Sequence, residues 1–439
     1  MPAEPVSGTD LLGPGAAASG GLRHRARAAL AQAGRLGWPL VDQGIASVGT
    51  FALTVTLARV LDPGEYGAFA LLLGGLMTLH MVTSSLVFYP LSIRIAAEGG
   101  TTASRHDGLV PAGLLLLAVL LLPALLAVAL GLALVGRPDL ILPASAYFIL
   151  WQVQEALRRL LFAQFRFAAA VPGDVVSYLG QVAVVVALAQ TGRLSLASAL
   201  LAMAATSGIA AIHQAILSGA LAPVRVRRSL RATARDFWAL GGWSLANNLL
   251  AILRIQLLLW GLAALAGAGI AAFLQAGLNL VNLMNPLVIG LCNIIPQTAA
   301  RAHGRGKAQA WRAARPIALA GAPVALVFFL ALALAPDLLL SLVYGAESPY
   351  RALATPVRLL ALWALTAYVT DMICSYFHGV EAARLALIIN AVGTAATLVA
   401  AVPLVAGLGL VGACIALCIA GIVRVVLAWR LLGRLIAED

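Results

Sequence analysis

The sequence predicts an all-α integral membrane protein with about twelve transmembrane helices in two six-helix lobes related by a parallel repeat. Composition is the first observation: the 439 residues are 62% hydrophobic and 10% charged, with a mean hydropathy of +0.97. A soluble chain carries about 25% charged residues, so this one has too few charges to cover a water-exposed surface. Long apolar runs and an internal repeat are the second and third observations.

The apolar runs are long enough for membrane helices, which need roughly 20 residues each, rather than for barrel strands. A Gly-, Ala-, Pro- and Ser-rich stretch at 1–22 comes first and is followed by a basic segment at 22–36, which is expected to lie on an anionic leaflet. The predicted spans are 38–60, 67–90, 109–135, 140–162, 171–190, 196–219, 237–262, 270–295, 316–336, 353–376, 385–404 and 410–431.

The loop charges predict the orientation. Most of the 29 basic residues lie in the N-terminal arm, the even-numbered loops and the C-terminal tail. The opposite side carries only Arg59, Arg137, Arg193, Arg351 and Arg358. By the positive-inside rule both termini are predicted to be cytoplasmic. The same distribution explains the net charge of +12 without a nucleic-acid partner.

The second half of the chain repeats polar landmarks of the first. Trp243 corresponds to Trp38, Asn247 to Asp42 and Asn248 to Gln43. Because an even number of spans separates the halves, they have the same orientation, as in many secondary transporters. The predicted segments are a disordered basic arm at 1–36, an N-terminal lobe at 37–219, a basic linker at 220–236, a C-terminal lobe at 237–432 and a tail at 433–439.

Several chemistries lack their motifs. Lys307, the only lysine, is followed by alanine, so no phosphate-binding loop of the ATPase type exists. The four cysteines lie in apolar runs, and Cys414 and Cys418, which share a helix face, have no histidine near them in sequence, so a metal site is not expected. No other cofactor is expected. Gly407, Gly409 and Gly412 match the dinucleotide fingerprint, but they lie between two apolar runs. They predict a tight hairpin between membrane helices, and no catalytic residues are assigned.

Three segments carry a family resemblance. They are ARVLDPGEYGAF at 58–69, preceded by Asp42-Gln43; EALRRLLFA at 155–163, followed by Asp174; and LVYG at 342–345. In order and spacing they resemble the bacterial polysaccharide transporters, the O-antigen and exopolysaccharide flippases of the multidrug/oligosaccharidyl-lipid/polysaccharide exporter superfamily. The resemblance covers roughly residues 38–432.

The resemblance implies an alternating-access transporter that flips undecaprenyl-pyrophosphate-linked oligosaccharide from the cytoplasmic to the periplasmic leaflet. Its partners would be that lipid-linked oligosaccharide, the bilayer and other polysaccharide-assembly membrane proteins. One alternative is a small-molecule (multidrug) efflux antiporter of the same fold. A second is a membrane glycan polymerase or ligase, which the short outward loop at 337–352 disfavours.

Arg254 is the main candidate for binding the pyrophosphate, because a charge deep in a span normally faces water or a partner. An interhelical ion pair is the alternative. Asn247 lies two turns earlier on the same helix face, and Asn248 is assigned to the same site. The eighth span carries an amide stripe that either lines a glycan path or joins helices by hydrogen bonds. The members assigned to substrate binding are Gln275, Asn279 and Asn282.

Three further charges are assigned to ion coupling or ion pairing. Asp42, near the start of the first span, is either a protonatable coupling site or, preferentially, a helix cap. Asp371 in the tenth span is placed to pair with Arg424 of the twelfth, although snorkelling of Arg424 to the cytoplasmic surface is the favoured expectation. The Arg158-Arg159 pair after Glu155 is expected to be an ordinary positive-inside anchor.

Overall fold

The computed structural model describes residues 38–39, 41–97, 108–220 and 228–438, and every regular element in these residues is a helix. The predicted arm at 1–36 lies outside the described residues. The long helices are α1 (Val41–Val60), α2 (Pro63–Ile95), α3 (Leu109–Leu134), α4 (Ile141–Ala163), α5 (Phe167–Gln190), α6 (Leu196–Ser218), α7 (Leu230–Ala266), α8a (Ala268–Asn282), α8b (Asn285–His303), α9 (Lys307–Leu334), α10 (Pro349–Gly379) and the joined helices α11 and α12 (Ala383–Ala437).

The described part of the chain contains twelve helical spans. Nine helices are long and apolar enough to cross a membrane on their own, and the bent pair α8a–α8b makes ten. The 55-residue helix Ala383–Ala437 is interrupted at Gly409 and counts as two. The last is α4, whose 23 residues fit a bilayer and whose final turns carry charged side chains. The predicted fold class is confirmed.

The turn between α11 and α12 lies in the glycine motif, as predicted. Gly409 adopts φ 52° and ψ −125°, which is non-helical and favours a residue without a side chain. A Cβ atom on Gly412 would lie only 1.9 Å from the carbonyl oxygen of Leu404. The two arms therefore approach so closely that glycine is required at this position. The motif forms a hairpin between two membrane helices.

The start of α2 explains part of the first resemblance motif. The Asp62 carboxylate accepts hydrogen bonds from the backbone N–H groups of Gly64 (2.8 Å) and Glu65 (3.2 Å), and Pro63 occupies the first helical position. Such an acidic cap satisfies amides that have no partner inside the helix, and proline lacks the amide that would be unsatisfied there. The motif thus specifies where α2 begins.

The eighth span is bent at its centre. Its halves, α8a and α8b, meet at an angle of 56° just before Pro286. Proline cannot donate the backbone hydrogen bond that would continue the helix, so the break lies where the sequence contains this residue. Pro296, by contrast, lies inside α8b. The amides Gln275, Asn279 and Asn282 all lie in α8a, before the bend.

Two helix boundaries differ from the predicted segments. α7 begins at Leu230, inside the segment 220–236 that was assigned to the linker, and α12 continues to Ala437, inside the predicted tail at 433–439. Alanine and arginine are abundant in both places, and both have high helix propensity, so the helices continue beyond the apolar runs. Hydropathy marks where a helix enters the bilayer and not where it ends.

The lobes meet along α2 and α7. A Cβ atom on Gly67 of α2 would lie 1.8 Å from the carbonyl oxygen of Ala268, at the start of α8a. One on Gly241 of α7 would lie 2.1 Å from the carbonyl oxygen of Ser85 in α2. Backbones that approach this closely pack through small residues, as membrane helices commonly do. Helix α2 therefore packs closely against both α7 and the start of α8a.

Candidate functional site

A cavity of about 460 Å³ lies between the lobes, bounded by α1, α2, α4, α5 and α6 on one side and by α8a and α8b on the other. Amide and hydroxyl side chains form much of its wall, and aromatic rings contribute apolar faces. The polar members are Gln43, Ser47, Thr50, Thr54, Ser177, Gln181, Ser207, Gln275, Asn279, Asn282 and Asn285, and the aromatic members are Phe51, Tyr147, Trp151 and Tyr178. Among the described residues, none that lines the cavity is formally charged.

One edge of the cavity is apolar and exposed. Val48 of α1, Leu283 at the α8 bend and Ile289 of α8b all line the cavity. Their exposed fractions are 61%, 42% and 42%, respectively. In a membrane span, exposed aliphatic side chains face lipid. The cavity thus combines a hydrogen-bonding interior with an apolar edge between α1 and α8.

The predicted amide stripe lies on the cavity wall and also forms hydrogen bonds within the protein. Gln275 Nε2 donates to Asn279 Oδ1 at 2.9 Å, and Asn279 Nδ2 donates to the Tyr66 hydroxyl of α2 at 2.8 Å. Asn285 Nδ2 donates to Asn282 Oδ1 at 3.2 Å, across the bend. The stripe therefore lines a polar cavity and joins the lobes through Asn279, while a role in a glycan path stays a prediction.

Two of the resemblance motifs, far apart in the sequence, meet at one end of the cavity. Arg59 at the end of α1 donates from Nε to the Val343 carbonyl at 2.7 Å and from Nη2 to the Leu342 carbonyl at 2.9 Å. These carbonyls belong to a short helix, Pro336–Tyr344, of the second lobe. By loop charge this is the predicted periplasmic side. The contact joins the two lobes there.

Buried aromatic rings lie beneath that contact. Tyr350 packs edge-on against Tyr66 of α2, with ring centroids 6.1 Å apart, and lies 5.1 Å from the ring of Tyr344. The Tyr344 hydroxyl donates to the Ala276 carbonyl at 2.9 Å. Burial raises the pKa of Tyr344 well above its ordinary value, so the hydroxyl stays protonated and keeps donating. The tyrosines and Arg59 thus hold the two lobes together at this end.

A buried charge cluster lies in the first lobe next to the cavity. Arg158 of α4 contacts Asp42 of α1, Glu155 one turn earlier at 3.1 Å and Asp174 of α5 at 3.2 Å. The Arg158 guanidinium also lies 4.8 Å from the centroid of the Phe162 ring. One guanidinium thus links three helices through carboxylates, a geometry that its planar donors suit.

Amides connect this cluster to the cavity wall. Gln154 and Gln214 donate to Asp174 Oδ1 at 3.2 and 3.1 Å. Gln154 in turn accepts a hydrogen bond of 2.8 Å from Ser177, which lines the cavity. Two successive hydrogen bonds, Gln154 to Asp174 and Ser177 to Gln154, therefore connect the charge of Asp174 to the cavity wall.

Two sequence-based expectations for this cluster are wrong. Asp42 pairs with Arg158, whereas a helix cap was favoured. Arg158 is buried, with 9% of its side chain exposed, whereas an anchor at the membrane surface was expected. Only Arg159 fits that description, because 41% of its side chain is exposed. The turn between α4 and α5 is short, so residues that lie at similar distances from the turn on the two helices face each other. The sequence spacing could therefore have predicted the pair of Arg158 with Asp174.

The second lobe contains the other predicted residues. Asn248 donates to Ser85 of α2 at 3.1 Å, and Asn247 accepts from Asn390 of α11 at 3.1 Å. Arg254 is 7% exposed, is absent from the cavity lining, and lies near Arg424. Its Nε and Nη1 atoms are inaccessible to solvent and have no hydrogen-bond partner among the described residues. The structure does not bring Arg254 together with the amide stripe.

Arg424 is buried beside Arg254. Its Nη2 donates to Asp371 of α10 at 3.3 Å and to Asn390 of α11 at 3.1 Å. The predicted pairing of Asp371 with Arg424 is therefore present, and because only 3% of Arg424 is exposed, the snorkelling that was favoured over it is wrong. A Cβ atom on Gly393 would lie 2.4 Å from Arg424 Cδ. The small residue in α11 creates the space in which the arginine stays inside the bundle.

In the described part of the chain, no group of three or more His, Cys, Asp or Glu side chains has an arrangement suited to a metal ion. The cysteines at 374, 414 and 418 are buried, and the one at 292 is partly buried, all as free thiols.

Comparisons with known proteins find the same fold. No protein-family model and no curated protein matches the chain. A solved structure described as the inward-facing conformation of a multidrug resistance MATE family transporter of the MOP superfamily is 15% identical, with a TM-score of 0.71, covering 90% of this chain and 95% of that one. The outward-facing conformation of such a transporter is 15% identical, with a TM-score of 0.64 and coverage of 91% and 93%. The lipid II flippase MurJ, in an inward closed conformation, is 11% identical, with a TM-score of 0.68 and coverage of 90% and 87%.

Proposed function

We propose that this protein is an alternating-access transporter that flips a lipid-linked oligosaccharide, with an undecaprenyl-pyrophosphate carrier, from the cytoplasmic to the periplasmic leaflet. The observation that carries the proposal is the chemistry of the inter-lobe cavity. Amides and hydroxyls can hydrogen-bond to sugar hydroxyl groups, and aromatic rings offer apolar faces for sugar rings to pack against. The apolar edge at Val48, Leu283 and Ile289 suits an isoprenoid tail that stays in lipid.

The fold supports the same proposal. One neighbour in structure is named as a lipid II flippase, and others are named as multidrug transporters, so the fold is compatible with both kinds of cargo. The likeness to an inward-facing structure fits the contacts of Arg59 and the nearby tyrosines, which join the lobes on the predicted periplasmic side. In this state the cavity would receive cargo from the cytoplasmic leaflet.

Efflux of small molecules is the competing function. Many drugs exported from bacteria are organic cations, for which a carboxylate in the cavity would be a suitable partner. The described lining residues include no carboxylate, and the buried acids Asp42, Glu155 and Asp174 of the first lobe contact Arg158. The cavity chemistry therefore favours the neutral, hydroxyl-rich glycan of a lipid-linked oligosaccharide over a cationic drug.

We also propose that Arg254 receives the pyrophosphate during the cycle. A pyrophosphate carries negative charge, and arginine binds phosphate through paired donors. The sealed Nε and Nη1 atoms of Arg254 are donors without an acceptor, which supports this role. Since Arg254 lies off the cavity wall in this conformation, the contact would form after the lobes move.

The test is flipping by purified protein in liposomes that contain a fluorescent lipid-linked oligosaccharide, together with surface polysaccharide in a strain that depends on the variant. Gln275→Leu and Asn282→Leu remove hydrogen-bonding groups from the wall and keep similar size. We expect each to reduce flipping at least tenfold at normal protein abundance, because a buried polar head group would lose its partners.

Asn293→Leu is the matched control, since Asn293 is an exposed amide of α8b outside the cavity lining. It should leave flipping unchanged. Normal flipping and normal polymer output from stable wall variants would contradict the proposal. Loss of drug efflux in those same variants, with polymer intact, would favour the multidrug alternative.

A further inference from the structure

The second lobe contains more buried positive charge than its described partners balance. Arg254 of α7 and Arg424 of α12 are both buried, and the one carboxylate with which either pairs is Asp371. In the described residues this group therefore has two guanidinium cations and one carboxylate. Asp371 is itself only partly buried, with 41% of its side chain exposed. A net positive charge inside a membrane bundle is unfavourable unless a counter-charge is present.

Unused donors point in the same direction. Nε and Nη1 of Arg254 and Nε of Arg424 are sealed from solvent and have no hydrogen-bond acceptor among the described residues. Buried polar groups are nearly always hydrogen-bonded, and a cationic N–H without an acceptor is costlier than a neutral one. A negatively charged acceptor, which the described residues do not supply, would satisfy these three donors on two neighbouring side chains.

The surrounding contacts hold this arrangement in place. Arg424 is fixed by Asp371 and by Asn390, and Asn390 is fixed in turn by Asn247. The absent side chain of Gly393 makes room for the Arg424 methylenes. The Arg424 guanidinium is thus positioned by acceptors on α10 and α11 before any anion binds. A preorganised donor of this kind binds an anion with less loss of conformational freedom.

We propose that Arg254 and Arg424 form an anion site in the second lobe that holds a small monovalent anion, chloride under cellular conditions. The pyrophosphate of the cargo has the same chemistry and would compete for the same donors. Halide binding does not depend on which cargo the transporter carries, so the inference and the proposed function can fail separately.

The experiment measures thermal unfolding of the full-length protein in detergent while sodium chloride or sodium bromide replaces sodium gluconate at constant ionic strength. A ligand that binds the folded state raises the unfolding temperature in a concentration-dependent way. Isothermal titration with bromide gives the affinity. We expect saturable stabilisation of the wild type by both halides.

Arg254→Gln and Arg424→Gln should each weaken halide binding about tenfold or more, because each removes charge-assisted donors. In gluconate Arg254→Gln should be at least as stable as the wild type, since it removes an unpaired buried cation. Arg301→Gln, at an exposed position of α8b, is the matched control and should titrate like the wild type.

Asp371→Asn separates this proposal from a purely structural ion pair. Removal of the carboxylate leaves two cations without a resident acid, so halide should bind more tightly and stabilise this variant more than the wild type. An ion pair without an anion site predicts lower stability and no response to halide. Equal halide responses in the wild type, Arg254→Gln and Arg301→Gln would overturn the inference.

A last arm distinguishes the two sources of anion. Farnesyl pyrophosphate should shift the halide titration to higher halide concentration, and farnesol should not. A halide response that farnesyl pyrophosphate leaves unchanged would retain the anion site but remove the pyrophosphate from Arg254. A response to farnesyl pyrophosphate without any to halide would refute the resident halide and leave the proposed function standing.

Discussion

Arg158→Met is the substitution with the largest expected effect on stability. Methionine keeps much of the apolar length of arginine but removes the guanidinium that contacts Asp42, Glu155 and Asp174. All three carboxylates are buried. The substitution would therefore leave acids inside the lobe without their shared cation, while changing the packing around Phe162 little.

The magnitude follows from what each acid retains. Glu155 keeps Arg159 at 2.6 Å, and Asp174 keeps the two glutamine amides. Among the described residues, Asp42 contacts no other group of opposite charge. Removal of one partner from a buried ion pair costs about 3–5 kcal/mol. We expect Arg158→Met to lower the free energy of unfolding by an amount in this range. Most of the variant protein should then be degraded in cells.

The assay is the free energy of unfolding in detergent, followed by thermal or denaturant titration, together with abundance in the membrane. Arg159→Met is the matched control, since Arg159 contacts the same Glu155 but is 41% exposed. Exposed pairs contribute about 0–1 kcal/mol, so this variant should be close to wild type. Adding Asp42→Asn to Arg158→Met should restore part of the loss.

Equal effects of the two methionine variants would refute the reasoning, because Arg158 is buried against three acids whereas Arg159 is 41% exposed and contacts only Glu155. So would an additional loss on adding Asp42→Asn, since that change neutralises the acid that the first substitution leaves unpaired.

Three further predictions concern the hairpin, the contacts of Arg59 and the orientation. Gly412→Ala should destabilise the protein by about 1–3 kcal/mol, because its Cβ atom would overlap the facing carbonyl. Gly407→Ala is the control and should have no such effect, because there is open space around Gly407. Measurements of the free energy of unfolding compare the two variants. Arg59→Ala should favour opening at the predicted periplasmic end by about fivefold, for a loss of about 1 kcal/mol, while Arg351→Ala, whose bond to the Ala346 carbonyl stays within its own loop, should not. Distances between spin labels on the two lobes measure that ratio, and an unchanged distribution in Arg59→Ala would contradict the role of this contact. Reporter fusions test the proposed orientation, and a reversed pattern would contradict it. The expected results are periplasmic signals at positions 64, 137 and 267 and cytoplasmic signals at positions 100, 228 and 306.

Local patterns predicted the parts of the site that lie on one helix. The amides of α8 recur at helical spacing, so their common face was visible in the sequence, and the structure places Gln275, Asn279 and Asn282 on one wall. The same pattern could not decide between lining and packing. That choice depends on Tyr66, which belongs to a different helix and accepts a hydrogen bond from Asn279.

The charged residues show where such reasoning stops. Arg158 and Arg159 are adjacent and chemically identical, yet one is buried against three acids and the other is largely exposed. Arg424 lies near the end of an apolar run, where snorkelling is the ordinary outcome. The space beside Gly393 and the acceptors on α10 and α11 keep it inside.

Composition, apolar run length and glycine placement by themselves determined the membrane class, the number of spans and the hairpin at Gly409, because each follows from local hydropathy and backbone freedom. The tertiary structure alone decided which buried charges neutralise each other, where the cavity lies, and that the motifs around Arg59 and Val343 meet. These depend on the rotation of each helix about its axis and on contacts between residues far apart in the chain. A periodic pattern shows which residues share a face, but only packing shows what that face meets.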